Sequence, residues 1–197
     1  MSSLILELNR ELDNKLAPDS RLEIKKLYQK AFQKKKNEMI AEFLNHSVTI
    51  EIKGGISANN ISRTLGGGNG NLFSFIGFDS GDDPIDPILS LLQQANIDYI
   101  NSSKRRINYR INLPTSKEIF AITPMPWASG RSWAKGIETG ISGLGYYLRK
   151  STDSSRSGLG VQSSRQVRKT NSRFKNTQYI SALINKYEKE FQNLQIS

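Results

Sequence analysis

The sequence contains no cysteine and a single histidine, His46, in 197 residues. The lack of cysteine excludes disulfides, thiolate metal sites and Cys–His nucleophile pairs. With one histidine, HExxH and other paired-histidine zinc patterns are excluded as well. A Ser–His–Asp triad would have to use His46, and no GxSxG elbow is present. Long apolar runs are missing, since nothing approaches the ~20 residues that a membrane span needs. Leu4, Ile5 and Leu6 are soon followed by Glu7 and Arg10, a pattern that does not fit a signal peptide. The glycine-rich run at 65–71, LGGGNGN, lacks both the GK[ST] ending of a phosphate loop and the GxGxxG turn. It reads as a loop or arm. Asp79, Asp82, Asp83 and Asp86 cluster, but they match neither a calcium loop nor a catalytic carboxylate pair, and helix capping accounts for at least one of them more simply. These absences point away from an enzyme and from a zinc site.

Positive charge is what the chain has in excess. Its formal net charge is +10, and its pI is about 9.8. Residues 149–175 hold eight Lys/Arg against one acid, Asp153, and so supply +7 of that +10. Such a stretch suits nucleic acid, anionic lipid or acidic protein partners, or is simply a solvated loop. The length suits one domain with a real hydrophobic core.

Periodicity predicts the elements. A short helix is expected over 3–16, with Ile5, Leu8, Leu12 and Leu16 on one face. A longer helix follows to about Leu44, with Ser20 and Glu23 at capping-box spacing and lysines at 25, 26, 30, 34 and 36 opposite its apolar side. The alternating run SVTIEI at 47–52 and the apolar run at 72–78 both read as strands. Asp82 or Asp83 caps a helix with Pro84 in its first turn. Residues 97–101 and 105–113 form an antiparallel hairpin, because Ile107, Tyr109, Ile111 and Leu113 alternate with Arg106, Asn108, Arg110 and Asn112. Thr115 and Glu118 have capping-box spacing around a helical turn, and 120–123 reads as a last short strand. A firm helix closes the chain over about 176–195, with a stripe of Ile180, Leu183, Ile184, Tyr187, Phe191 and Leu194. Phe73, Phe75 and Phe78 could stack on nucleic-acid bases, but a buried element is the better reading.

The stretch 123–149, TPMPWASGRSWAKGIETGISGLGYYLR, is expected to organise the rest. Pro124 and Pro126 hold its start extended. From Arg131 a helix is predicted, with Trp133, Ile137, Ile141, Leu144 and Leu148 on one stripe and Gly136, Gly140 and Gly143 on another. Glycine inside a helix costs ~1 kcal/mol relative to alanine, so three on one face imply a backbone that approaches closely. Either the C-terminal helix or a neighbouring subunit would supply it. Residues 150–173 read as a long extended or disordered segment.

The succession SVTIEIKGG, NLFSFIGF with GDDPIDPIL, and IFAITPMPWASGRSWAKGIETGISGLGYYL resembles the neck and tail-completion (head–tail joining) proteins of tailed bacteriophages. The resemblance covers roughly residues 25–190. It implies a virion structural protein that forms a homo-oligomeric ring in the neck. Such a ring joins the portal or an adaptor to tail tube, terminator or sheath proteins and lets DNA pass, with no catalysis, cofactor or membrane. Localisation would be the neck or tail of the virion, assembled in the host cytoplasm. The expected fold is α+β, a small antiparallel sheet packed against several helices with long N-terminal and C-terminal helical extensions and a basic arm. The expected divisions are an N-terminal helical extension (1–19), a core domain (20–149), a basic arm (150–175) and a C-terminal helix (176–197). Interface residues would be Trp127, Arg131, Trp133, Gly136, Gly140 and Gly143 from the aromatic–glycine stretch. Arg149, Arg156, Arg165, Arg168 and Arg173 of the arm would meet acidic protein surfaces or, transiently, packaged DNA. The alternative is a basic nucleic-acid-binding module, motivated by the +7 segment and the lysine-bearing helix.

Overall fold

The computed structural model describes residues 4–11, 18–66, 70–102, 106–141, 147–149, 161–162 and 174–194. The architecture is α+β, as expected. It divides into two compact units, one of residues 1–43, 89–118 and 181–197 and one of residues 44–88 and 119–180.

The first unit contains a three-stranded antiparallel sheet in the order β1-β3-β2, made of β1 (Leu4–Glu11), β2 (Asn96–Ser102) and β3 (Arg106–Leu113). The predicted hairpin of β2 and β3 is present, with an irregularity between Tyr99 and Asn101. The predicted N-terminal helix is not: residues 4–11 pair with β3 from Leu4 opposite Leu113 to Glu11 opposite Arg106. LILELNRE satisfies both a helical spacing, through Ile5 and Leu8, and an alternation of Leu4, Leu6 and Leu8. The edge offered by β3 decides between them. Ile107, Tyr109, Ile111 and Leu113 are buried on one face of the sheet. On the other face Asn112 Nδ2 donates to Asn96 Oδ1 (2.6 Å) and Asp98 Oδ2 (2.9 Å), and Asn108 Nδ2 donates to Asn101 Oδ1 (2.6 Å).

Helix α1 (Pro18–Asn45) supplies the rest of this core up to Phe43. It begins at Pro18, so Ser20 lies inside the helix and not at the predicted cap. Proline suits a first helical position because its missing N–H would have no partner there. Tyr28 packs on Tyr109 at 4.8 Å between ring centroids and Phe32 on Phe191 at 5.0 Å. Helix α1 therefore touches both the sheet and the C-terminal helix, α7 (Ile180–Gln192). All six apolar residues predicted for the stripe of α7, Ile180 through Leu194, are buried. Lys35 bridges Glu38 and Glu190, and Glu42 accepts from both Lys186 Nζ and the Tyr187 hydroxyl.

In the second unit two predicted strands are helices. SVTIEI belongs to α2 (Ser47–Lys53), and the 72–78 run forms α3 (Leu72–Ile76), ended by Gly77 at φ +95°. In α2, Val48, Thr49, Glu51 and Ile52 are buried while Ile50 is 43% exposed, so burial follows the helical period and not the alternation. Ahead of helix α4 (Asp86–Gln93), which begins in this unit, Asp83 Oδ1 accepts from the Ile85 and Asp86 amides at 3.1 Å, as expected of a capping aspartate, but Pro84, expected in the first turn, precedes the helix. Helix α5 (Ser116–Ala121) carries the predicted capping box: Glu118 Oε2 accepts from the Thr115 amide (2.8 Å) and Thr115 Oγ1 from the Glu118 amide (3.2 Å). Residues 120 and 121 belong to this helix, so the predicted strand at 120–123 is replaced by a two-stranded hairpin of β4 (Pro124–Met125) and β5 (Ala128–Ser132). Helix α6 (Trp133–Thr139) comes next, and then a pair formed by β6 (Tyr147–Arg149) and β7 (Val161–Gln162). Val161 and Gln162, within the segment expected to be extended or disordered, are thus paired in a sheet.

The Tyr109 hydroxyl is buried and has no hydrogen-bond partner among the described residues. Burial, with Tyr28 and Tyr99 adding, pushes its pKa up to about 12. A folded-state value above the ordinary value near 10 means that this contribution to stability is complete below pH ~10 and is lost as pH rises towards ~12. Tyr109→Phe removes an unsatisfied hydroxyl and keeps the ring. It is expected to stabilise the fold by about 1 kcal/mol at pH 7 and to blunt the alkaline loss, both measured by urea denaturation across pH. A loss of stability at pH 7 would show that the hydroxyl has a partner.

Candidate functional site

The most constrained surface element lies in the second unit, between α2 and α3. Glu51 has no exposed surface. Its Oε2 accepts from the Ser62 amide at 2.8 Å and its Oε1 from the Leu72 amide at 2.7 Å. One carboxylate thus ties the middle of the intervening loop to its end. Charge-assisted bonds to backbone N–H groups offset the desolvation of such an anion. Asparagines close the rest. Asn71 Nδ2 donates to the Ile56 and Ala58 carbonyls (both 3.0 Å) while its Oδ1 caps α3 through the Ser74 amide (2.9 Å). Asn60 Nδ2 donates to the Leu65 carbonyl at 2.8 Å. Leu65 also forms an isolated bridge with Phe174, next to Lys175, whose amide donates to the Thr64 carbonyl at 2.8 Å.

These bonds frame an open cleft of about 690 Å³ lined by Ile56, Asn59, Arg63, Leu65, Gly70 and Asn71 among others. Arg63 is held at φ +55°, a left-handed conformation rare for a residue with a side chain and found where the surroundings over-determine the backbone. Ile56 and Ile61, 61% and 51% exposed, stand on the same loop. A guanidinium, amides and apolar walls make a surface for recognition.

The hairpin of β4 and β5 is fixed to α3. Trp127 Nε1 donates to the Ile76 carbonyl at 2.6 Å, and its ring lies so close to Gly77 that a Cβ there would stand 3.2 Å from Trp127 Cδ1. Thr123 Oγ1 shares a hydrogen bond with Ser132 Oγ (2.7 Å), and the Trp133 amide donates to the Thr123 carbonyl (2.9 Å). Ser132 also caps α6 through the Lys135 amide. Trp133 is 1% exposed, with Phe78 at its edge and Tyr179 at 6.3 Å, so its ring partners belong to its own unit.

Helix α6 starts two residues after Arg131, which is exposed in β5, and it ends at Thr139. Gly140 stops it with φ +94° and ψ 138°, a conformation that only glycine adopts without strain. Gly136 is inside the helix, where a Cβ would stand 2.9 Å from Ile141 Cγ1 and 3.1 Å from Met125 Cε. The close approach inferred at Gly136 is therefore made by residues of its own unit. No continuous glycine stripe exists, because Gly136 and Gly140 are not on one helix face. Gly143, Arg156, Arg165, Arg168 and Arg173 lie outside the described residues, as does the side chain of Arg149, whose backbone belongs to β6.

His46 caps α2, its Nδ1 accepting from the Val48 amide (3.3 Å), and its ring lies 4.9 Å from that of Tyr179. The Tyr179 hydroxyl shares a 2.8 Å hydrogen bond with Thr49 Oγ1; burial raises its pKa and the Thr49 bond partly opposes that rise. Phe73 and Phe78 are buried, and Phe75 stacks on Phe174. Glu51, Asn60 and Asn71 were not picked out by motif. The available signal was an acid inside the apolar run SVTIEI, which a strand reading places on the wet face.

No protein-family model, curated protein or solved structure matches this chain.

Glu51→Gln leaves one acceptor oxygen for two amides. It is expected to cost about 2–3 kcal/mol and to speed hydrogen exchange at Ser62 and Leu72, while the amides of β3 stay protected. Unchanged exchange at both positions would remove the clamp from the account.

Proposed function

We propose that this chain is a structural subunit of a tailed bacteriophage, assembled head to tail into a ring in the neck that joins portal to tail and lets DNA pass. Two things support the reading. The first is the resemblance of the segments around 47–55, 71–89 and 119–148 to neck and tail-completion proteins. The second, which carries the argument, is the sheet of the first unit. Strands β1 and β2 both run antiparallel to β3, so they run parallel to each other, and among the described residues each has one edge without a partner strand. An open edge is a template for another strand. When β2 of one copy adds to β1 of the next, the contact is heterologous, and repetition by rotation closes a ring. The β2 edge carries Tyr99 and Ile100, 41% and 40% exposed.

In this reading the pinned 54–72 loop and the β4–β5 hairpin are rigid presentation surfaces. They meet the portal or adaptor on one side and the tube, terminator or sheath on the other. The segment around Arg156, Arg165, Arg168 and Arg173 is the arm that engages acidic surfaces of those partners. Among the described residues no helix is long and apolar enough to cross a membrane.

Ile100→Lys places a charge on the β2 edge without touching the buried face, a device by which natural edge strands avoid pairing. The expected result by native mass spectrometry is a single closed oligomer for the unaltered chain and a monomer of unchanged melting temperature for the variant. An I100K protein that forms the same ring would overturn the strand-addition contact. A full-length protein that stays monomeric at high micromolar concentration would do the same.

A further inference from the structure

Six lysines lie in α1, at 25, 26, 30, 34, 35 and 36, and the fold divides them into two sets. Lys25 sits over the Tyr99 ring, Lys35 bridges Glu38 and Glu190, and Lys36 donates to the Gln93 and Ala95 carbonyls at the end of α4. Lys26, Lys30 and Lys34 are exposed and make no ion pair or hydrogen bond among the described residues. Their spacing of four residues puts them on one ridge opposite Tyr28, Phe32 and Met39, in steps of about 6 Å along the helix.

We infer that this ridge is a binding surface for the phosphate backbone of duplex nucleic acid, read without regard to sequence. The inference does not rest on the ring. A row about 12 Å long with three charges can meet about three phosphates along one strand. Lysines are flexible point charges that suit phosphate oxygens. Protein interfaces are instead depleted in lysine and anchored by aromatic or arginine side chains. Leu22 and Leu27 flank the ridge, but no exposed aromatic or arginine lies among residues 22–37 of the helix. Beside the lysines Gln33 Nε2 donates to Asn37 Oδ1 at 2.9 Å, and the acids on this face stand at the two ends of the row, Glu23 before Lys26 and Glu38, already bridged by Lys35, one turn after Lys34.

The test uses the full chain, a labelled random-sequence 30-base-pair duplex and fluorescence anisotropy over a salt series. Two triple variants are compared, K26Q/K30Q/K34Q on the ridge and K53Q/K117Q/K135Q at exposed lysines elsewhere. Both lower the net charge from +10 to about +7, so bulk charge is matched, and circular dichroism verifies folding. The ridge variant is expected to weaken binding roughly tenfold or more at low salt and to flatten the log–log salt slope by about 3, at ~0.9 per lost phosphate contact. The control variant is expected to keep the slope of the unaltered chain to within about one contact. Equal effects of the two variants would mean that only net charge matters and would overturn the inference. So would the absence of duplex binding at low salt, which would leave the ridge to an acidic protein. A ring that assembles normally while the ridge variant loses duplex binding would separate this inference from the ring proposal.

Discussion

The second unit depends on one buried carboxylate. Glu51 has no contact with water, and the bonds that compensate it run to two backbone amides far apart in sequence. Because a carboxylate has two oxygens, it can hold Ser62 and Leu72 together, which a neutral side chain of similar size cannot do equally well. Leu72 is the first residue of α3, so the clamp also sets where that helix begins. Helix α3 ends at Ile76, whose carbonyl takes the Trp127 indole N–H. Trp127 fixes the hairpin, the hairpin delivers Ser132, and Ser132 caps the helix that buries Trp133. Each step uses a polar group that would be costly to leave unpaired.

That chain of dependence explains which features were legible. The β2–β3 hairpin was readable because its alternation is long and its polar face is strongly polar. The Thr115–Glu118 box and the stripe from Ile180 to Leu194 were readable because each signal is local. SVTIEI and LFSFI were misread for the same reason in both cases. A short apolar run fits a period of 2 or of 3.6, and only the partners decide. The deciding partner for SVTIEI is the Glu51 clamp, which closes only if Glu51 and Ile52 turn inward together, as a helix allows and a strand does not. At the N-terminus the partner is the edge of β3, a hundred residues away in sequence. The helix predicted through 131–149 stops early because a positive φ at Gly140 is a property of the folded backbone, and glycine in a sequence announces only that it is permitted.

The second unit also brings together α2, α3 and the β4–β5 hairpin with α6. These are the elements joined through Glu51, Asn71, Ile76 and Trp127. Their shared feature is support for loops, since Asn71 and Glu51 spend their hydrogen-bonding capacity on the 54–72 backbone and Trp127 spends its on a helix end. The chemistry of these side chains is thereby consumed inside the fold. What remains outward is Arg63 with Ile56 and Ile61 on a backbone held in place, and a surface fixed beforehand binds without the ordering cost of a mobile loop.

Charge is divided by the same logic. Lys25, Lys35 and Lys36 stabilise the first unit: one lies over an aromatic ring, one sits between two carboxylates, and one is at a helix C-terminus, where cations are favoured. The hydrogen bonds that Lys35 Nζ donates to Glu38, and then to Glu190, hold its pKa above the ordinary value. The lysines of the 26–30–34 ridge make no ion pair or hydrogen bond among the described residues, although Lys34 stands near enough to Glu38 to attract its carboxylate. Three like charges at successive turns repel one another by a few tenths of a kcal/mol per pair, so the ridge is mildly unfavourable to the isolated chain. A repulsion of that size is relieved by any anion that spans the row, and relief grows with the number of charges met at once. A polyphosphate strand meets all three together, whereas separate counterions must be ordered one by one. The repulsion built into α1 is therefore matched to a linear polyanion more closely than to scattered acids on a protein surface.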